Sequence, residues 1–122
     1  MKGHTMKILA SAIAAIIFAA TPANAMFKSG NDVLRYCAST EDSDQITCLE
    51  YIRGVADGLE SQASTNTMFG LKNFKLVCFH EGIRSSQLED VAVAYLQRNP
   101  AMRDEDAAGL LTIAWSNAWP CR

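Results

Sequence analysis

Past the first 25 residues, the side chains with the most reactive potential are Cys37, Cys48, Cys78, Cys121 and a single histidine, His80. The run Cys78-Phe79-His80 resembles a fragment of a metal or thiol site. No second histidine completes it, and an oxidised Cys78 neither attacks a substrate nor binds zinc. Carboxylates are plentiful, but the pairs Asp57 with Glu60 and Glu89 with Asp90 lie on segments whose other faces carry apolar stripes. Solvated acids are normal in that position. Gly54 and Gly58 stand four apart inside a helical pattern, not between a strand and a helix, so they make no phosphate loop. Trp115 and Trp119 offer an aromatic ledge, but their neighbours Leu111 and Ala118 favour core packing. The expectation is a binding protein with no catalytic set, metal site or cofactor. The one catalytic option left is an enzyme using His80.

The fate of the sulfurs depends on where the chain folds. Lys2 and Lys7 precede an uncharged apolar run from Ile8 to Ala20, Thr21-Pro22 breaks it, and Ala23-Asn24-Ala25 sets small residues where a signal peptidase reads. The run is too short to span a bilayer, which takes about 20 apolar residues. Residues 1–25 are therefore expected to be a signal peptide cleaved after Ala25, leaving a periplasmic domain of residues 26–122, free of the membrane. Without Lys2 and Lys7, nine Lys and Arg face thirteen Asp and Glu, a net charge of −4. That balance, with no basic patch, argues against a nucleic-acid partner. Four cysteines in a short exported chain read as two disulfides, with three possible connectivities.

The elements that must hold these residues are helical. Period-two alternation is absent over any length, while apolar residues recur every three or four positions. Ser29 or Asn31 can cap a short helix filled by Val33, Leu34, Tyr36 and Cys37. A polar stretch, residues 38–44, leads to a second helix over 44–63 with Asp44 as its cap. Its stripe is Ile46, Leu49, Ile52, Ala56, Leu59 and Ala63. Gly54 and Gly58 in this helix admit two readings, close approach of another helix or tolerated glycines with no contact. Residues 64–82 are irregular, with a polar tip and apolar residues Met68, Phe69, Leu71, Phe74, Leu76 and Val77, some of them expected in a turn or extended piece on the core.

Ser86 and Glu89 have capping-box spacing ahead of a third helix whose stripe is Leu88, Val91, Ala92, Tyr95 and Leu96, stopped by Asn99-Pro100. Asp104-Glu105-Asp106 suits the positive end of a fourth helix carrying Ala107, Leu110, Leu111, Ala114, Trp115 and Ala118. The fold class is thus all-α, a small four-helix bundle of two hairpins. In this map Cys37 and Cys48 fall at one end of the first hairpin and Cys78 and Cys121 at one end of the second. That placement favours the pairs Cys37–Cys48 and Cys78–Cys121, each stabilising by about 3–4 kcal/mol in the chain-entropy model.

The series Ser29-Gly30-Asn31-Asp32-Val33-Leu34 before Cys37, then Cys48-Leu49-x-Tyr51-Ile52-x-Gly54-Val55-Ala56-Asp57-Gly58, resembles the Rap/Tai family of immunity proteins. Cys78, Gln87-Leu88, Tyr95-Leu96, Pro100, Ala107-Ala108 and the Ala118-Trp119-Pro120-Cys121 ending extend the resemblance over nearly all of residues 26–122. Phe79-His80 departs from it, since a proline is expected nearby, and residues 64–75 match nothing in the pattern. The resemblance implies a periplasmic protein, often dimeric, that blocks a peptidoglycan amidase effector delivered by type VI secretion. Such amidases cut peptide stems with a cysteine–histidine pair in a cleft, and the immunity protein inserts a protruding element.

On exposure and mixed polarity, the expected inserted loop is Thr65, Asn66, Thr67, Met68, Phe69 and Gly70, with Asp42 and Asp44 at its rim. A homodimer is a second expectation of the resemblance. The alternative function is a periplasmic stress or chaperone-like helical protein with no toxin partner, suggested by the Met and Phe residues between 68 and 77.

Overall fold

A computed structural model describes residues 27–71 and 74–122. The proposed signal peptide lies outside them. The helices are α1 (Gly30–Ala38), α2 (Asp42–Met68), α3 (Ser85–Arg98) and α4 (Ala107–Ala118), with a 3-10 turn at Pro100–Met102. No strand occurs among the described residues; one isolated antiparallel bridge joins Ser29 to Asp106. The all-α, four-helix expectation holds, as do both disulfides, Cys37–Cys48 and Cys78–Cys121.

Ser29, not Asn31, starts α1. Its hydroxyl accepts from the Asp32 N–H at 3.2 Å, while the Asp32 carboxylate accepts from the Ser29 N–H at 3.0 Å. The same turn is stitched to the start of α4. Gly30 N–H donates to the Glu105 carbonyl at 3.1 Å, Asn31 N–H to Arg103 at 2.9 Å, and Ala107 N–H to Lys28 at 2.9 Å. Backbones approach here so closely that a Cβ on Gly30 would lie 2.7 Å from Leu110 Cδ1 and 2.9 Å from Leu96 Cδ2.

The second helix departs from expectation at both ends. It begins at Asp42 behind Glu41, which makes no side-chain cap, so Asp44 is inside the helix. At its far end it runs on through residues 64–68, where Ser, Thr and Asn had suggested a loop. Thr67 turns its hydroxyl onto the Ala63 carbonyl at 3.1 Å and stays helical. Gly70, at φ +69°, then closes the helix: Gly70 N–H donates to Thr67 O at 3.1 Å and Leu71 N–H to Asn66 O at 2.8 Å. This is the left-handed glycine ending that caps free carbonyls.

Within α2, Cys48, Ile52 and Ala56 are buried. Ile46 is 61% exposed, contrary to its place in the expected stripe. It stands two residues from Cys48, and positions two apart point to nearly opposite sides of a helix. Gly54 and Gly58 are exposed, with no atom within 4 Å of a Cβ at either, so no helix crosses there.

The third helix keeps its expected stripe but not its cap. Ser86 and Glu89 form no box; Gln87 Oε1 instead accepts from the Arg84 N–H at 2.9 Å, two residues earlier. At its other end Arg103 donates to the Leu96 and Gln97 carbonyls at 2.7 and 3.1 Å. Asp106 caps α4 by accepting from Gly109 N–H at 2.8 Å.

The core gathers Val33, Ile52, Val77, Ala92, Leu96, Leu111 and Trp115. Trp115 is fully buried, its indole N–H donating to the Leu88 carbonyl at 3.0 Å. Trp119 packs half-buried against this core. Ala118 is exposed, because it closes α4 where that helix lines an open groove with Asp90, Val91 and Ala94.

Candidate functional site

The long α2 outruns its own core. After Ala56 its residues are exposed or half-buried, and its last turns project beyond the packed bundle. Thr65, Asn66, Thr67 and Met68 belong to that final helical turn, and Phe69 and Gly70 form its cap. The six residues are therefore a protruding helix end and not the loop expected. The difference is physical: threonine and asparagine lower helix propensity only slightly, and a helix already 22 residues long needs no new nucleus to continue.

Around this end the chain presents Met68 at 84% exposure, Phe69 at 75% and Phe74 at 65%, with Leu71 and Leu76 also open. Of the apolar residues between 68 and 77 expected to help cover the core, only Val77 is buried. Leu71, Phe74 and Leu76 thus join the candidate surface, and their apolar character was legible while their exposure was not. Lys75 braces the segment, its Nζ 3.1 Å from the Glu60 carboxylate on α2. Thr67, Phe74, Lys75 and Ala63 line an open cleft of about 310 Å³ whose other wall is Cys78, Cys121 and Arg122.

Asp42 and Asp44 do not rim this surface. They occupy the first turn of α2, whose 27 residues at a rise of about 1.5 Å each set its ends roughly 39 Å apart. His80 is exposed; its Nδ1 lies 2.9 Å from the Glu81 carbonyl and its ring meets the edge of Trp119 at 6.4 Å. Its neighbour Cys78 is held in a disulfide, so no thiolate–imidazole pair forms.

Glu89 on α3 brings a carboxylate oxygen within 4.8 Å of both Cys37 and Cys48 sulfurs. With those sulfurs bonded to each other, the trio holds no metal. Burial, then the neighbouring Asp90, pushes the Glu89 carboxyl above its usual range. The Asp32 carboxyl moves the other way, because it accepts from the Ser29 backbone and hydroxyl while ionised.

The chain is thus a helical bundle stapled by two disulfides that presents an exposed apolar helix end. The model of the Rap1a immunity proteins matches residues 29–121, and the chain belongs to that family. Membership implies a protein partner, an effector. No curated protein and no solved structure matches the chain. No helix among the described residues is long and apolar enough to cross a membrane.

Proposed function

We propose that this protein is exported to the periplasm, loses residues 1–25, and there binds and inhibits a peptidoglycan amidase delivered by type VI secretion. It acts by occlusion and carries out no catalysis of its own. The observation that carries the reading is the projecting end of α2. Met68 and Phe69 stand at a hydrogen-bonded helix terminus and would enter a concave cleft already in helical form. That spares part of the entropic cost of association. Aromatic and methionine side chains are also the types that dominate the centre of tight interfaces. Two disulfides in a domain of this size support folding in an oxidising compartment.

The test uses the mature oxidised protein and purified peptidoglycan amidase effectors of type VI secretion, assayed one by one. Stoichiometric addition should abolish release of stem peptides from peptidoglycan by at least one of them. The paired change Met68→Asp and Phe69→Asp should weaken binding by at least tenfold while leaving the melting temperature unchanged, since both side chains lie outside the core. Full activity of every amidase in the presence of excess protein would refute the proposal.

The same exposed apolar residues support a second reading, a chaperone-like protein that holds unfolded periplasmic clients. Suppression of client aggregation, lost in the same double variant, would favour it over amidase inhibition.

A further inference from the structure

The two disulfides sit in opposite surroundings. Cys37–Cys48 joins the last turn of α1 to the first turns of α2. Cys48 is 1% exposed, Cys37 is half-buried, and the Glu89 carboxylate stands within 4.8 Å of both sulfurs. Glu89 joins no ion pair among the described residues, so its negative charge is not offset there. Cys78–Cys121, in contrast, forms part of the wall of the open cleft, beside Lys75 and Arg122. Cys121 is exposed and Cys78 half-buried. Lys75 is paired with Glu60, which offsets its charge, so what sets this bond apart is its access to solvent.

Thiol–disulfide exchange needs a thiolate to reach one sulfur in line with the bond and needs the other sulfur to leave as a thiolate. Access controls the first requirement. Nearby charge acts on both: a carboxylate repels an incoming anion and disfavours the departing one, and a cation does the reverse.

We propose that Cys78–Cys121 is an exchange site for small thiols, and that burial together with Glu89 shields Cys37–Cys48 from the same reagents, anionic ones most of all. A thiolate attacks Sγ of Cys121, forming a mixed disulfide there, and the bonding pair leaves on Sγ of Cys78, later taking a proton from water. A second thiolate attacks the reagent's own sulfur in the mixed disulfide and releases Cys121. The protein bond is reduced by two electrons and two reagent thiols are oxidised to their disulfide.

Opening this bond does not dismantle the bundle. Besides the bond, Trp119 packs on the core and its carbonyl accepts from the Cys78 N–H at 3.0 Å, contacts that do not pass through either sulfur. What loosens is the wall of the cleft that Phe74 and Thr67 share. The order of opening is independent of any amidase partner.

The experiment treats the oxidised mature protein with reduced glutathione at fixed pH, quenches samples with an alkylating agent, and maps the modified cysteines by peptide mass. Cys78 and Cys121 should be modified at least tenfold faster than Cys37 and Cys48, with helical circular dichroism retained at that stage. Replacing glutathione by neutral 2-mercaptoethanol should narrow the ratio, and Glu89→Gln should narrow it by speeding the Cys37–Cys48 reaction. Simultaneous opening of both bonds, or Cys37–Cys48 opening first, overturns the proposal. A ratio that Glu89→Gln leaves unchanged overturns the role given to Glu89.

Discussion

Replacing Gly54 or Gly58 by alanine adds a methyl group at exposed points of α2 where no other atom lies within 4 Å. Nothing is lost by the change, and the unfolded chain gives up backbone freedom that glycine alone retains. Each substitution should therefore stabilise by about 0.5–1 kcal/mol. The two sites share no partner, so the double variant should gain roughly 1–2 kcal/mol. Gly30 supplies the opposite case. Its Cβ would meet Leu110 Cδ1 at 2.7 Å, Leu96 Cδ2 at 2.9 Å and the Arg103 carbonyl oxygen at 3.1 Å. Both leucines are buried, and that carbonyl is fixed by the Asn31 N–H at 2.9 Å. Gly30→Ala should destabilise by about 1–3 kcal/mol, the usual range for overpacking. The assay is urea unfolding of the oxidised mature protein followed by far-ultraviolet circular dichroism, with thermal melts in parallel. At this chain length each kcal/mol moves the melting temperature by about 4–8 °C. A stabilised Gly30→Ala, or a destabilised Gly54→Ala and Gly58→Ala pair, would refute the assignment of buried and open helix faces.

Three further outcomes follow from named contacts. Trp115→Phe removes an indole donor bonded to the Leu88 carbonyl and leaves a void in a fully buried site, so it should cost about 2–3 kcal/mol in urea titrations. Trp119→Phe, at a half-buried position, should cost under about 1 kcal/mol. The two carboxylates with opposite shifts should give opposite pH signatures in stability measured from pH 7 to pH 2. Ionised Asp32 stabilises the fold above the ordinary carboxylate range, and that contribution is lost as pH falls through its lowered native pKa, so Asp32→Asn should be weaker than wild type at pH 7 and converge with it in acid. Ionised Glu89 carries a cost at pH 7 that disappears as pH falls through its raised native pKa. Glu89→Gln should therefore be the more stable protein at pH 7 and lose that advantage below about pH 4.

Much of the bundle could be read from periodicity and punctuation. Leu88, Ala92 and Leu96, or Ala107, Leu110, Leu111 and Trp115, recur at helical spacing because each lines one buried face. Asn99-Pro100 stopped α3 as backbone sterics require. The helix map also brought each cysteine pair to one end of a hairpin, which is why the connectivity was legible. Less legible was the end of α2. Ser64, Thr65, Asn66 and Thr67 have the composition of a loop, and only Gly70, the left-handed closing residue, marked the true stop. Phe74 and Leu76 misled in the other direction, since apolar character promises burial only where the fold brings a surface to cover it. Spacing from Leu49 puts Ile46 in the stripe, whereas Cys48, drawn inward by its bond to Cys37, sets which face turns to the core.

In the proposed mode of inhibition, the protruding end of α2 closes the cleft of a cell-wall amidase. Lysis tests that role: cells carrying, in the periplasm, an amidase effector that the protein binds are scored with the wild-type protein and with the Met68→Asp, Phe69→Asp variant at equal abundance. The wild-type protein should prevent lysis, and the variant should fail to. Lysis at the same rate with and without the wild-type protein, or full protection by the variant, would contradict the account.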